Sequence, residues 1–301
     1  MSALLISAVL LQPAAGGAVE SAPPAEEEPF AVMTDSRDRE VVIQEKPETL
    51  ISLGPNITEI LYALELGESV IGRTDFCDYP EEVQDVQSIG GIMDPSIEKI
   101  IDLEPDLVLA STHVDMSIVE ALENAGITMV NLYSDESYEG VYVTIREIAH
   151  VTGTEEIGEQ LIEEMQETIA YVRETVEGAP RPSVYYVVEF GDTGNFTATG
   201  ETYLHKLIEL AGGRNIAEDA RGWSFSLEKI VDKDPDMLIC TTRYDTKERL
   251  KEAHGYKDLT AVREGRVYEI NTDMLDRQGA RLAQGVLELA KTFHPDLFQE
   301  E

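Results

Sequence analysis

The sequence predicts an α/β fold of two lobes, each with a central, mostly parallel sheet, joined by one long helix with a ligand cleft between them. Three observations lead there. Short β-branched strands alternate with helices through brief connections, the pattern of parallel βαβ units covered on both faces. The stretch from Thr154 to Gly178 places apolar residues at helical spacing near the middle of the chain. And one helix-and-strand unit is written twice: SIEKIIDLEPDLVLAS from Ser96 and SLEKIVDKDPDMLICT from Ser226, with 7 of 16 positions identical.

In chain order, Ala3 to Leu11 is a short apolar run followed by small residues, the form of a secretory signal with a cleavage point near Ala18. Nine apolar residues are too few to span a bilayer as a helix. Residues 1–29 thus form a signal-like segment and a disordered tether rich in Pro, Ala, Gly and Glu. Residues 30–153 form the N-terminal lobe. It opens with a hairpin whose turn lies at Asp35 to Arg39, then a strand at Leu50 to Leu53. The helix that follows is capped by Asn56 or Thr58 and ends at Gly67. Asp94-Pro95 starts the first repeated helix as cap and first helical residue, and Pro105 ends it. Residues 154–178 are the linking helix, about 35 Å long at ~1.5 Å per residue, a strut between lobes. Residues 179–301 are the C-terminal lobe, with the strand SVYYVVEF, the glycine-rich loop GDTGNFTATG, a helix closed by Gly212-Gly213, the second repeat, the strand RVYEINT and a last helix from about Gln278. Each lobe reads as Rossmann-like.

The charge is extreme: 59 acidic against 23 basic residues, a net of −36. Such a surface repels nucleic acid and anionic lipid. Attraction to cationic partners and solubility in a salty medium both fit it, and the even spread of the acids favours solubility. Cys77 and Cys240 are too few for a disulfide framework and read as buried thiols.

In open α/β sheets, ligands bind beyond the carboxyl ends of the strands, where strand order reverses. The loops at those edges hold Phe76, Tyr79, Phe190, Phe196, Trp223 (the only Trp), Tyr244 and Arg277. Aromatic walls with a few polar groups suit a large, flat, amphipathic ligand, although any single ring could instead pack beneath its loop. Arg73, Arg243, Arg277 and Arg281 are the candidate cleft cations. No nucleophile elbow, zincin motif, P-loop or dinucleotide fingerprint is present. Asp75, Asp78 and His113 are the residues a metal-dependent enzyme on this fold would use, and the five histidines lack ligand spacing.

TLISLGPNITEILYALELGESVIGRTDFCDYPEEVQDVQSIGG, PSIEKIIDLEPDLVLAS and TGETYLHKLIELAGGRNIAED together resemble the helical-backbone class of ABC-importer substrate-binding proteins, which take cobalamin, haem or iron-siderophore complexes. The resemblance runs over residues 38 to 298. It implies a monomeric binder rather than an enzyme, with no cofactor of its own and a metal chelate as ligand. It also implies that one glutamate per lobe docks on arginines of the permease, and the repeat carries these to Glu98 and Glu228. Their other explanation is local, since acids favour the first helical turn. DYP, FTATG, the Trp before the second repeat and D-R-x-x-x-R are similar to the cobalamin branch. That similarity implies a corrinoid site at Tyr79, Phe196 and Trp223 with Arg277 nearby. Gly90-Gly91-Ile92 stands where that branch can place a further Trp. For haem, Tyr79, His113, Met116 and Tyr244 are eligible axial ligands.

Overall fold

The computed structural model describes residues 28–299 except 112, 113, 136, 192 and 193. The signal-like run and most of the tether therefore lie outside the described residues. Strands β1 (Ala31–Thr34) and β2 (Glu40–Ile43) form an antiparallel hairpin. The first lobe then runs β3 (Leu50–Ser52), α1 (Pro55–Ala63), β4 (Val70–Arg73), α2 (Ile97–Asp102), β5 (Leu107–Ala110), α3 (Met116–Asn124), β6 (Thr128–Asn131) and α4 (Tyr138–Thr152). Gly153, in the left-handed region at φ 67°, turns the chain into α5 (Glu155–Val176).

The second lobe runs β7 (Ser183–Tyr186), α6 (Tyr203–Leu210), β8 (Arg214–Asn215), α7 (Leu227–Lys233), β9 (Met237–Thr241), α8 (Thr246–Glu252), α9 (Thr260–Arg263), β10 (Val267–Ile270), α10 (Asp273–Asp276) and α11 (Leu282–Phe293).

Both sheets are parallel, ordered β4-β3-β5-β6 and β10-β9-β7-β8. These are the same topology: the first strand is flanked by the second on one side and by the third, then the fourth, on the other. The repeat occupies the same place in each lobe, α2 feeding β5 and α7 feeding β9.

Its identical residues have identical jobs. Ser96 and Ser226 cap their helices by accepting from Lys99 N and Lys229 N. Ile100 and Ile230 are fully buried. The Asp106 carboxylate accepts from Thr49 N and Thr49 Oγ1, each at 2.8 Å, while Asp106 N donates to Thr49 Oγ1 at 3.0 Å. Asp236 does the same with Ser183, at 2.7, 2.6 and 2.8 Å. The Pro-Asp pair thus does more than stop a helix: it fastens the third strand to the start of the first.

Local expectations fail where tertiary contacts override them. The cap of α1 is Gly54, with Pro55 as first helical residue; Thr58 is buried, its hydroxyl 2.8 Å from Ser52 Oγ. The cap of α2 is Ser96, because Pro95 is drawn into a bridge with Gly90. Gln278, at φ 48°, breaks the last helical stretch into α10 and α11. The two-residue β8 went unread.

Nor is α5 simply a strut. Its Ile162, Met165, Ile169 and Val172 belong to one core that includes Ile57, Ile60 and Ile145 of the first lobe and Leu207, Val286 and Leu289 of the second. The opposite face of each sheet covers its own smaller core, around Val108 and Ile100 in one lobe and Leu238 and Ile230 in the other. Among the described residues, no helix is long and apolar enough to cross a membrane.

Candidate ligand cleft

The parallel strands aim their carboxyl ends, and the reversal points β3/β5 and β7/β9, at the junction of the lobes. Side chains from the two edges meet there in one ion-pair network. From the first lobe come Glu59, midway along α1, and Asp78, in the loop after β4. From the second come Arg243, after β9, and Asp273, Arg277 and Arg281, carried by α10 and the turn at Gln278. Glu59 accepts from Arg281 Nε at 2.8 Å, from Arg281 Nη2 at 2.5 Å and from Arg277 Nη1 at 2.9 Å. Asp78 lies 2.7 Å from Arg277 and 2.8 Å from Arg243. Asp273 takes Arg277 Nη2 at 2.9 Å and also pairs with Arg243.

The network is graded in depth. Side-chain exposure is 1% at Glu59, 9% at Arg281 and 12% at Arg277, but 42% at Asp78 and 45% at Arg243. Burial alone would raise the Asp78 carboxyl, yet the guanidiniums of Arg277 and Arg243 hold it below the usual carboxylate range. Burial would likewise lower Arg277, but Asp78 and Glu59 push it up. Asp276 lines the cavity beside Arg243 and keeps solvent contact, yet the dense protein around it pushes its carboxyl up to about 6, and the Tyr186 hydroxyl donates to it at 3.1 Å.

The aromatic residues sort into walls and core. Tyr79 is exposed, with the Arg281 guanidinium over its ring, 3.7 Å from the centroid. Trp223 is 42% exposed and Tyr244 76%. Phe196 is half-buried and bridges Glu189 and Ser224 through its backbone. The FTATG segment is the buckle of the Trp223 loop: Thr197 N donates to Trp223 O at 2.9 Å, and the Thr199 hydroxyl donates to Gly222 O. Gly200 is required there, since a Cβ would collide with Glu218 O.

Several readings are corrected. Phe190 is buried, 5.4 Å from the Tyr256 ring, so it belongs to the core and only one side of it borders a cavity of about 220 Å³. Arg73 donates to the carbonyls of Thr74 and Val83 and fastens its own loop. Asp75 and Asp78 do not act as a pair: Asp75 accepts from the Ser88 hydroxyl, and Asp78 faces the arginines. His113 lies outside the described residues. Glu59 and Asp273 were missed. The one available signal was an acid at position 59 inside the apolar helix text NITEILYAL.

Two cavities flank the network. One of about 220 Å³ is lined by Val188, Thr241, Tyr244 and Asp273; another of about 210 Å³ by Asn56, Ser111, Tyr133 and Arg277. A larger hollow of about 720 Å³ borders the network on its other side, lined by Glu59, Tyr79, Leu161 and Arg281, and one of about 700 Å³ lies along α5 at Arg173 and Val176.

Glu98 and Glu228 are exposed and have no hydrogen-bond or ion-pair partner among the described residues. Because α2 and α7 run back against the strands they feed, their N-termini lie at the cleft edge of each lobe.

A family model for periplasmic binding proteins matches residues 50–274. The chain belongs to the periplasmic binding protein family. An ABC transporter substrate-binding lipoprotein of Bacillus subtilis is 33% identical, over 99% of this chain and 98% of its own length. A cobalamin-binding protein of Halobacterium salinarum is 29% identical, over 86% of this chain and 73% of that one. Among solved structures, a periplasmic heme-binding protein from Roseiflexus sp. RS-1 superposes with a TM-score of 0.75 at 26% identity, covering 83% of this chain and 99% of that one. Periplasmic binding proteins bind solutes rather than transform them, and the two-lobed fold described above is theirs.

Proposed function

We propose that this periplasmic binding protein is exported, acts as a monomer, and captures a corrinoid of the cobalamin type between its lobes for delivery to an ABC-transporter permease. The observation that carries this reading is the exposure of large aromatic rings at the carboxyl edges of both sheets: Tyr79 from the first lobe, Trp223 and Tyr244 from the second. Exposed rings of this size cost hydration free energy unless something flat covers them. The two cavities beside Arg243 and Arg277 stay below the ~300 Å³ at which pockets for small organic ligands begin, while the hollow of about 720 Å³ on the Glu59–Arg281 side is bordered by Tyr79. On this reading the macrocycle lies across the cleft mouth, between the exposed rings and over the Asp78–Arg243 bridge, with Phe196 supporting the Trp223 side. The cobalamin-binding relative from Halobacterium salinarum supports this assignment.

Haem is the second reading, favoured by the heme-binding neighbour and by Tyr79, Tyr244 and Met116, all exposed. A ferric siderophore is the third chelate in the same class. Glu98 and Glu228, one per lobe and unpartnered among the described residues, serve as the contacts for permease arginines, a carboxylate–guanidinium latch that is strong and directional.

Trp223 is the only indole, so its fluorescence reports on the cleft directly. Titration with cyanocobalamin, haemin and a ferric siderophore separates the three ligands, and absence of corrinoid binding at micromolar concentration overturns the leading one. For docking, Glu98→Ala with Glu228→Ala abolishes uptake while binding persists; uptake at the normal rate removes the latch.

A further inference from the structure

We infer that this cleft is built to take a chelate whose rim carries carboxamides rather than carboxylates, and that Asp78 and Asp273 set that specificity by occupying the arginines a rim carboxylate would need. The inference rests on the reading of the cleft mouth as the ligand site, and goes beyond it by naming the residues that choose among the ligands. A carboxylate-bearing porphyrin or an anionic ferric chelate is normally held by arginines that offer two parallel N–H donors. Three arginines belong to the network among the described residues, and none of them offers that fork freely; a fourth, Arg249, borders the neighbouring cavity with its guanidinium over the Phe190 ring and 3.9 Å from Glu189. Arg277 Nη1 is shared by Glu59 and Asp78, and its Nη2 is held by Asp273. Arg243 Nη2 is shared by Asp78 and Asp273. Arg281 gives Nε and Nη2 to Glu59 and its face to Tyr79.

Three cations thus meet three carboxylates, and the network contributes no net positive charge. Its outermost members are Asp78 and Arg243, each more than two-fifths exposed, so an arriving ligand meets a carboxylate together with the guanidinium. An anion placed there gains one attraction and suffers one repulsion at nearly the same distance. A macrocycle rimmed by carboxamides suffers no such penalty. Its C=O groups accept from the outer edges of the arginines and its N–H groups donate to the free lone pairs of Asp78 and Asp273.

The test compares a corrinoid bearing carboxamides (cyanocobalamin) with a corrin of the same ring bearing free carboxylates (cobyrinic acid) and with haemin, by Trp223 quenching. The proteins are wild type, Asp78→Asn, and Asp78→Asn with Asp273→Asn. Asp78 is exposed, so its isosteric substitution leaves the buried Glu59 pairs intact; circular dichroism checks the fold of both variants. The expected result is a preference for the amide ligand in wild type that falls by about tenfold in Asp78→Asn and further in the double variant, through gained affinity for the carboxylate ligands. No gain for cobyrinic acid or haemin in the double variant overturns the inference. If wild type fails to bind cyanocobalamin while the variants gain haemin affinity, the corrinoid assignment falls and the charge selection stands.

Discussion

Glu59 of the first lobe and Arg281 of the second share two hydrogen bonds, at 2.8 and 2.5 Å, at positions almost closed to solvent. This is a buried salt bridge that joins the lobes, and its value shows when one partner is removed. Glu59→Gln leaves two poorly solvated guanidiniums, Arg281 and Arg277, without their shared anion. It is expected to cost about 3–5 kcal/mol, read as a lowered denaturant midpoint. Asp78→Asn, at the exposed end of the same network, is expected to cost under about 1 kcal/mol.

Ile100 and Ile230 are fully buried at equivalent positions of the repeat. Truncating either to Ala removes the same side chain from the same setting in two different cores. Each is expected to cost about 2–5 kcal/mol, and the two losses to fall close together in chemical denaturation.

The Asp106 carboxylate is held low by its bonds to Thr49 and the Glu48 amide, and that of Asp236 by its bonds to Ser183. A depressed carboxylate contributes stability that is present above its unfolded pKa and lost as pH falls through the folded one. Replacing either with Asn is expected to flatten the acid limb of the stability–pH curve below the ordinary Asp value of 3.8, in thermal melts taken across that range.

Asp276 behaves oppositely, since the protein packed around it, with a cavity on one side, pushes its carboxyl up from 3.8 to about 6. Its favourable contribution is complete below 3.8 and is lost as pH rises through about 6. Asp276→Asn keeps an acceptor for the Tyr186 hydroxyl and removes the charge. The variant is expected to gain stability relative to wild type above that pH, and equal melting temperatures at neutral pH would count against it.

The duplicated architecture was legible because it is written in residues with local duties. A capping Ser, a buried Ile and a Pro-Asp pair recur at a constant offset, and each acts within its own helix–strand unit. What stayed hidden depends on distance. Glu59 meets Arg277 and Arg281 across separations of 218 and 222 residues, and no spacing rule links such pairs. Whether a loop aromatic faces out or in is also nonlocal: Phe190 is core only because Tyr256 lies beneath it. The two residues of β8 carry no alternation, and pairing with Ser183 and Val184 is what makes them a strand. Arg73 and Arg277 are alike as text, and only their neighbours, carbonyls for one and carboxylates for the other, give them different work.

The buried face of α5 belongs to both lobes at once. Swinging the lobes apart would expose that face to water, and the Glu59 pairs would break with it. Glu98 and Glu228 are therefore held like the points of a locked pair of callipers. Any surface that engages both must be cut to one span.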